Sequence, residues 1–207
     1  MRASGECPQA VFVNGASSAG KTSLIKAMQQ IAPVPYLHVG LDHCFATVPE
    51  PWAGGGNGPF QAEGFAYRRF SPDADGLPRA GISYGPVGAV IMSAYRRSLV
   101  TMIEQGCRLA IDEMLLDADI GANYVRLLEP FDVRYVLMTA GPDCLEARCT
   151  ARRYQPGFGR WSMAAGDHLP RPYNVEFSSQ SRTAAECAAE LVAGWWRGGP
   201  NIVSGGC

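Results

Sequence analysis

The sequence predicts an α/β fold built on a five-stranded, mostly parallel sheet with helices on both faces. Short apolar runs of strand length alternate with longer segments whose apolar side chains recur at helical spacing. The 207 residues are 47% hydrophobic and 18% charged, which is typical of a globular chain rather than a disordered one. We therefore expect one domain over residues 1–207, large enough to fold around its own core.

Strands and helices follow one another in alternation along most of the chain. Leu24, Ile25, Met28 and Ile31 have the spacing of an amphipathic helix, and Pro86 suits the first position of a long one. The predicted strands cover residues 10–14, 36–40, 107–113, 133–138 and 174–177. The predicted helices cover residues 20–31, 86–105, 118–129 and 142–153, and a last helix begins at the capping box Thr183-Ala184-Ala185-Glu186.

Two stretches depart from this alternation. Residues 41–85 are rich in Pro and Gly, which indicates a loop-rich insertion, and Asp73-Ala74-Asp75-Gly76 predicts a turn between short strands at 67–71 and 80–84. Residues 148–172 predict an arginine-bearing lid. Aromatic residues of the insertion either line a pocket for a small acceptor or pack the insertion onto the sheet. They are Phe45, Trp52, Phe60, Phe65, Tyr67, Phe70 and Tyr84.

The segment after the first predicted strand matches G-x-x-x-x-G-K-[ST], the pattern of a phosphate-binding loop. It consists of Gly15, Ala16, Ser17, Ser18, Ala19, Gly20, Lys21 and Thr22, followed directly by Ser23. Glycines let the backbone curl so that its N–H groups and the helix N-terminus face phosphate oxygens. Lys21 would contact the β- and γ-phosphates, and the Thr22 hydroxyl would ligate Mg²⁺. The sequence therefore predicts a nucleoside-triphosphate site on a P-loop NTPase three-layer sandwich.

A carboxylate at the end of the third predicted strand completes the expected metal site. Asp112 follows the apolar run Leu109-Ala110-Ile111, so it can hold Mg²⁺ directly or through water. Alternatively, it caps a helix or loop. Glu113, the next residue, would either do similar work or orient a substrate.

The other charged residues favour a kinase. The guanine-binding pattern N-K-x-D of GTPases is absent. Asp42 directly follows the second predicted strand and would face the phosphate loop, which suits a general base for an acceptor hydroxyl, although it also suits the cap of a turn at 43–48. Arg148 and Arg152 share one helix face and would stabilise the transferring phosphate, unless they form only a solvated basic surface.

Composition narrows the remaining functions. The formal charge of -1, without a long charged run, argues against a nucleic-acid surface, and no apolar run approaches the ~20 residues of a membrane span. The seven cysteines form no C-x-x-C pair, which predicts reduced thiols in a cytoplasmic protein. His38, His43 and Cys44 lie close together, but a strand end with a buried thiol is the better interpretation, because a metal site needs a full ligand set.

The assembled blocks resemble the chloramphenicol phosphotransferase family of small P-loop kinases. They are, in the family's order, residues 14–22, Val39-Gly40-Leu41-Asp42, Asp73-Ala74-Asp75-Gly76 with Gly85-Pro86, Ile111-Asp112-Glu113, and Arg148-Cys149-Thr150-Ala151-Arg152. The resemblance covers most of residues 10–195 and implies transfer of the γ-phosphate of ATP to a small-molecule alcohol. It also implies that Asp42 activates the acceptor hydroxyl and that Arg148 and Arg152 are lid residues near the phosphates.

We therefore expect an ATP- and Mg²⁺-dependent O-phosphotransferase of a small hydroxylated compound, with antibiotics among the candidate acceptors. Asp42, Lys21, Arg148 and Arg152 are the expected catalytic residues, and Thr22 and Asp112 the expected metal ligands. One alternative is a nucleoside or metabolite kinase of the same architecture. Another is a nucleotide-binding regulator or toxin-like kinase with a macromolecular target. A homo-oligomer is compatible with the sequence.

Overall fold

The computed structural model describes residues 7–54 and 58–195, and within them the predicted five-stranded parallel sheet is confirmed. The strands are β1 (Ala10–Gly15), β2 (Leu37–Gly40), β3 (Phe65–Phe70), β4 (Arg79–Tyr84), β5 (Leu109–Glu113), β6 (Val133–Thr139) and β7 (Val175–Ser178). The main sheet has the order β2-β5-β1-β6-β7 with parallel pairings throughout, and β3 and β4 form a separate hairpin. β1 is therefore the central strand.

Helices cover both faces of this sheet. They are α1 (Lys21–Ile31), α2 (Leu41–Ala46), α3 (Pro86–Glu104), α4 (Ala118–Leu128), α5 (Pro142–Ala151), α6 (Phe158–Ser162) and α7 (Ala184–Trp195), with 3₁₀ turns at Glu50–Trp52 and Met163–His168. α1 and α7 bury Leu24, Ile25 and Leu191 in one apolar core, whereas α3 and α4 bury Leu99 and Tyr124 in the other. The predicted three-layer arrangement is therefore confirmed.

The carboxyl ends of the three adjacent strands β2, β5 and β1 meet at one end of the sheet. Gly40 pairs with Asp112, and Asn14 pairs with Glu113. Strands β2 and β5 approach so closely that a Cβ at Gly40 would lie 2.0 Å from the main-chain oxygen of Asp112. This close approach brings the start of α2 to the same end of the sheet as the loop that follows β1.

The turn predicted at 43–48 was wrong. Residues Leu41–Ala46 form α2 instead. Leu41 and Cys44, three positions apart, are both buried and share one face of this short helix, which packs it against the core. Asp42 therefore lies in the first turn of a helix rather than in a loop.

The hairpin exists as predicted, but its strands begin earlier than the predicted 67–71 and 80–84. Phe65 is buried and extends β3 toward the core by two residues. The turn is confirmed, since the carboxylate of Asp73 accepts the main-chain N–H groups of Asp75 and Leu77 at 3.0 and 2.9 Å.

The predicted lid, residues 148–172, packs against this hairpin. Phe158, Ala165 and Leu169 are buried, although the sequence there looks polar. Gly81 of β4 faces the indole of Trp161, and a Cβ at Gly81 would lie 2.2 Å from that ring. The hairpin and the lid therefore form one continuous wall. Among the described residues, no helix has the length and apolarity needed to cross a membrane.

Candidate functional site

The phosphate loop lies between β1 and α1. Ser18 and Gly20 have left-handed φ angles of 63° and 100°, which turn the chain so that α1 begins at Lys21. Lys21 is 8% exposed, and its ammonium donates to two main-chain oxygens at the start of the loop, at 3.0 and 2.9 Å. Burial lowers the pKa of Lys21, and the nearby charge of Asp112 opposes this effect.

Thr22 and Asp112, the two expected metal ligands, are in direct contact. The Thr22 hydroxyl donates to Asp112 Oδ2 at 2.7 Å, and His38 Nε2 lies 3.1 Å from the same oxygen. Because an ionised carboxylate only accepts hydrogen bonds, this nitrogen carries the proton. Burial raises the pKa of Asp112, but the His38 hydrogen bond and the charge of Lys21 outweigh burial and hold this pKa below its usual value. The carboxylate therefore stays ionised beside a hydroxyl, and both are oxygen donors of the kind that Mg²⁺ prefers.

Asp42 faces the same cavity as the phosphate loop. The cavity has a volume of about 70 Å³, and its walls include Asp42, Lys21, Thr22, Asp112 and Arg152. Asp42 is exposed in the first turn of α2, whereas Asp112 comes from the end of β5. Four different elements thus bring one lysine, one arginine and two carboxylates to a single space.

Aromatic side chains form another wall of this cavity. Phe45, Tyr67, Tyr154 and Phe158 line it. The ring of Phe158 stacks on that of Tyr154, with centroids 4.9 Å apart, and lies 5.8 Å from that of Tyr67. Of the insertion aromatics, Phe45 and Tyr67 line this cavity, whereas Phe65 is buried in the core. The rings in contact are Phe65 with Phe45, Trp52 with Phe60, and Phe70 with Trp161, and the Tyr84 hydroxyl donates to Asp117.

The two predicted lid arginines have different surroundings. Arg148 is half-buried and donates to the main-chain oxygen of Ser18 at 3.2 Å and to the Ser179 hydroxyl at 2.8 Å. Arg152 is exposed, and across the described residues no hydrogen bond or ion pair holds its guanidinium. Arg152 lines both the cavity of Asp42 and a larger cavity of about 670 Å³, which Arg148 lines as well.

Glu113 lies away from this cavity. Neighbouring residues of a strand face opposite sides of a sheet, so Glu113 points away from the face that carries Asp112. It is 3% exposed and accepts a hydrogen bond from the Tyr124 hydroxyl. Burial raises the pKa of Glu113 to about 7, although the bond from Tyr124 opposes this effect. Asp112 is therefore the carboxylate of this pair that the fold places beside Thr22.

Polar contacts that the sequence did not predict tie the lid to the phosphate loop. The side-chain amide of Asn14, fully buried at the end of β1, donates to the main-chain oxygen of Ala165 at 2.6 Å and to the Tyr173 hydroxyl at 2.7 Å. The hydroxyl of Ser162 accepts the main-chain N–H of Ser17 at 3.0 Å. In the sequence, the signal for these contacts was Asn14 itself, a polar residue at the end of an apolar strand and next to Gly15.

Comparison with known proteins identifies the family. A family model described as chloramphenicol phosphotransferase-like protein matches residues 8–196. The chain belongs to the chloramphenicol phosphotransferase-like family. The resemblance predicted from separate sequence blocks is thereby confirmed, and the chain is a phosphotransferase.

Individual relatives agree with this assignment. A protein of Mycobacterium tuberculosis (strain ATCC 25618 / H37Rv) that bears the name putative O-phosphotransferase is 27% identical over 183 residues, which are 87% of this chain and 79% of the relative. The tunicamycin resistance protein of Deinococcus radiodurans has a TM-score of 0.59 at 11% identity, over 91% of this chain and 95% of that chain. A gluconokinase from Sinorhizobium meliloti 1021 has a TM-score of 0.54 at 14% identity, over 92% and 93%. The likeness to the gluconokinase shows that this chain has the fold of P-loop kinases.

Proposed function

We propose that this phosphotransferase moves the γ-phosphate of ATP to a hydroxyl group of a small molecule, with Mg²⁺ as cofactor. The observation that carries the proposal is that a single cavity collects Lys21, the Thr22–Asp112 pair and a separate carboxylate, Asp42. Nucleotide binding needs only the lysine and the Thr–Asp pair. A further carboxylate beside them is what transfer to a hydroxyl requires.

The donor would be held by the phosphate loop. Its N–H groups and the N-terminus of α1 would bind the triphosphate, and Lys21 would exchange its bonds to loop oxygens for bonds to the β- and γ-phosphates. Thr22 and Asp112 fit Mg²⁺, because a hydroxyl and an ionised carboxylate are already in contact there. Bound at this position, Mg²⁺ would offset the negative charge of the triphosphate.

Asp42 would accept the proton of the acceptor hydroxyl while the acceptor oxygen attacks the γ-phosphorus. The bond from this phosphorus to the oxygen that bridges it to the β-phosphate breaks, and ADP leaves with the electron pair. Arg152 would stabilise the transferring group from within the cavity. Arg148 would add positive charge behind the loop, where it already bonds to Ser18 and Ser179.

The two cavities suggest where donor and acceptor lie. The cavity of about 670 Å³ borders Gly20 and the segment 179–184 and has room for the nucleoside. The acceptor would occupy the aromatic side, where an apolar side cavity of about 150 Å³ continues behind Phe45 and Tyr67. These walls favour an acceptor that combines a hydroxyl with an apolar body. Antibiotics that combine a hydroxyl with an apolar body are therefore among the proposed acceptors. We place the reaction in the cytoplasm, where ATP is supplied.

Incubation of the purified protein with γ-labelled ATP and Mg²⁺ tests this function. The acceptor panel should contain chloramphenicol, other hydroxylated antibiotics, nucleosides and sugars. We expect phosphate on a hydroxyl of a panel member that has an apolar body. ATP binding without transfer to any small alcohol, with label on a macromolecule from a cell extract instead, would refute the proposal.

A further inference from the structure

His38 is brought to Asp112 by the pairing of two parallel strands. In the register of β2 and β5, His38 lies opposite Ala110 and Gly40 lies opposite Asp112. Side chains two positions apart share a face of a strand, so His38 and Asp112 lie on one face of the sheet. Gly40, which pairs with Asp112, has no side chain that could take the place of the His38 ring beside the carboxylate.

The contact holds one oxygen of the carboxylate. Asp112 Oδ2 accepts the Thr22 hydroxyl at 2.7 Å and His38 Nε2 at 3.1 Å. The side chains of His38 and Asp112 are only 17% and 13% exposed, so water competes weakly for this bond. Within the described ranges no hydrogen bond occupies Oδ1 of Asp112, which leaves that oxygen available for a metal ion or a metal-bound water.

We infer that His38 is a positioning residue that orients Asp112 for the metal of the bound nucleotide. The inference rests on the proposed function, because it takes Asp112 as the carboxylate that serves this metal. A partner that fixes a metal-binding carboxylate typically contributes 10–100-fold in metal affinity or activity. His38 acts through the carboxylate rather than on the metal, since Mg²⁺ prefers oxygen ligands to imidazole. Among the described residues, no three His, Cys, Asp or Glu side chains are placed to hold a metal by themselves.

The chain offers a matched control in His43. Its ring meets that of His38 edge-on, with centroids 4.9 Å apart, but His43 is exposed and makes no bond to Asp112 among the described contacts. His38→Leu removes the N–H donor, whereas His38→Gln places an amide N–H near the position of Nε2. His43→Leu removes the same ring without touching the carboxylate.

The test measures metal binding directly. Mn²⁺ is titrated into protein that carries the ATP analogue AMP-PNP, free Mn²⁺ is measured by electron paramagnetic resonance, and Mg²⁺ affinity follows from competition. We expect His38→Leu to weaken binding of both metals by about 10-fold or more, with His38→Gln restoring most of the affinity and His43→Leu changing nothing. In an Asp112→Asn background, His38→Leu should have little further effect, because the two residues act as one unit.

Each result distinguishes this inference from the proposed function. If the wild-type protein binds both AMP-PNP and Mn²⁺ and a folded His38→Leu variant binds them equally well, the positioning role fails while the proposed function stands. A loss for Mn²⁺ without a loss for Mg²⁺ also overturns the role, since it indicates direct imidazole ligation. If the wild-type protein binds neither probe, the proposed function fails and the role of His38 fails with it. If His38→Leu does not fold, His38→Ala takes its place in the titration, and binding of both metals by folded His38→Ala as tightly as by the wild-type protein overturns the role.

Discussion

The Thr22 hydroxyl donates a 2.7 Å hydrogen bond to Asp112, which lies 90 positions later in the chain. The bond joins the first turn of α1 to the end of β5. Both proposed metal donors therefore lie side by side on regular elements, a helix and a strand, rather than on a loop. Donors that are already in place lose little conformational freedom when a ligand binds.

Replacement of Asp112 by Asn tests the metal site. The amide keeps the shape of the side chain but removes the charge, so we expect the Mg²⁺ requirement to rise and turnover to fall by about 100-fold at low Mg²⁺. The measurement is the transfer rate as a function of Mg²⁺ concentration. Asp119→Asn, at an exposed position of α4, is the control. Equal Mg²⁺ dependence in the two variants would contradict the assignment.

Replacement of Asp42 by Asn tests the proposed general base. Proton acceptance by a positioned group typically contributes 10²–10⁴-fold, so we expect turnover to fall by about that factor. ATP affinity should change little, because Asp42 belongs to α2 and not to the phosphate loop. Single-turnover transfer and ATP titration give the two quantities, with His43→Asn on the same helix as the control. Turnover close to wild type in Asp42→Asn excludes this role.

Arg148 and Arg152 should differ when each is replaced by Ala. Arg152 lines the cavity, and no described residue bonds to its guanidinium, so its loss should lower kcat by about 10³-fold without lowering the melting temperature. Arg148 bonds to Ser18 and Ser179, so its loss should lower both the melting temperature and ATP affinity. Thermal unfolding and steady-state kinetics distinguish these outcomes. The same stability loss in both variants would show that the two arginines do not divide these tasks.

The phosphate loop and the strands around it could be predicted because their signals are local. A glycine pattern after an apolar run, and Asp42 directly after a second run, specify their positions within a few residues. The hydrogen bond between His38 and Asp112 could not be predicted in this way. The two residues are 74 positions apart, and their contact depends on the pairing of β2 with β5. Tyr154 and Phe158 were missed as cavity residues because the lid has no periodic pattern that shows which side chains turn inward. The direction of Glu113 was implicit in the alternation of side chains along β5.

Glu113 should make stability depend on pH. Burial raises its folded pKa to about 7 from an ordinary value of 4.5, so the folded state holds this proton more tightly than the unfolded state. The corresponding stabilisation is present below about pH 4.5 and is lost as pH rises through about 7, with an upper size of about 3 kcal/mol. We expect Glu113→Gln, which cannot ionise beside Tyr124 and Asp112, to flatten this slope. Urea unfolding at about pH 5 and about pH 8, without metal or nucleotide, provides the comparison, and an equal slope in both proteins would contradict it.

Gly81 of the β3–β4 hairpin packs against Trp161 of the predicted lid. Substitutions at the two positions, singly and together, test this contact. A Cβ at Gly81 would lie 2.2 Å from the indole, so Gly81→Ala forces the ring to move and should lower the free energy of unfolding by about 1–3 kcal/mol. The same displacement should raise the KM for the acceptor more than that for ATP, because Tyr67 and Phe158 line the acceptor side.

A second substitution shows whether this contact is the cause. Trp161→Phe creates room beside Gly81, although the lost contacts should cost stability of their own. If the Cβ and the indole compete for one space, the double variant should lose less free energy than the sum of the two single variants, as measured by urea unfolding. Additive losses would mean that the hairpin and the lid adjust independently. In that case the hairpin side of the proposed acceptor cavity would not be coupled to the predicted lid, which carries Arg152.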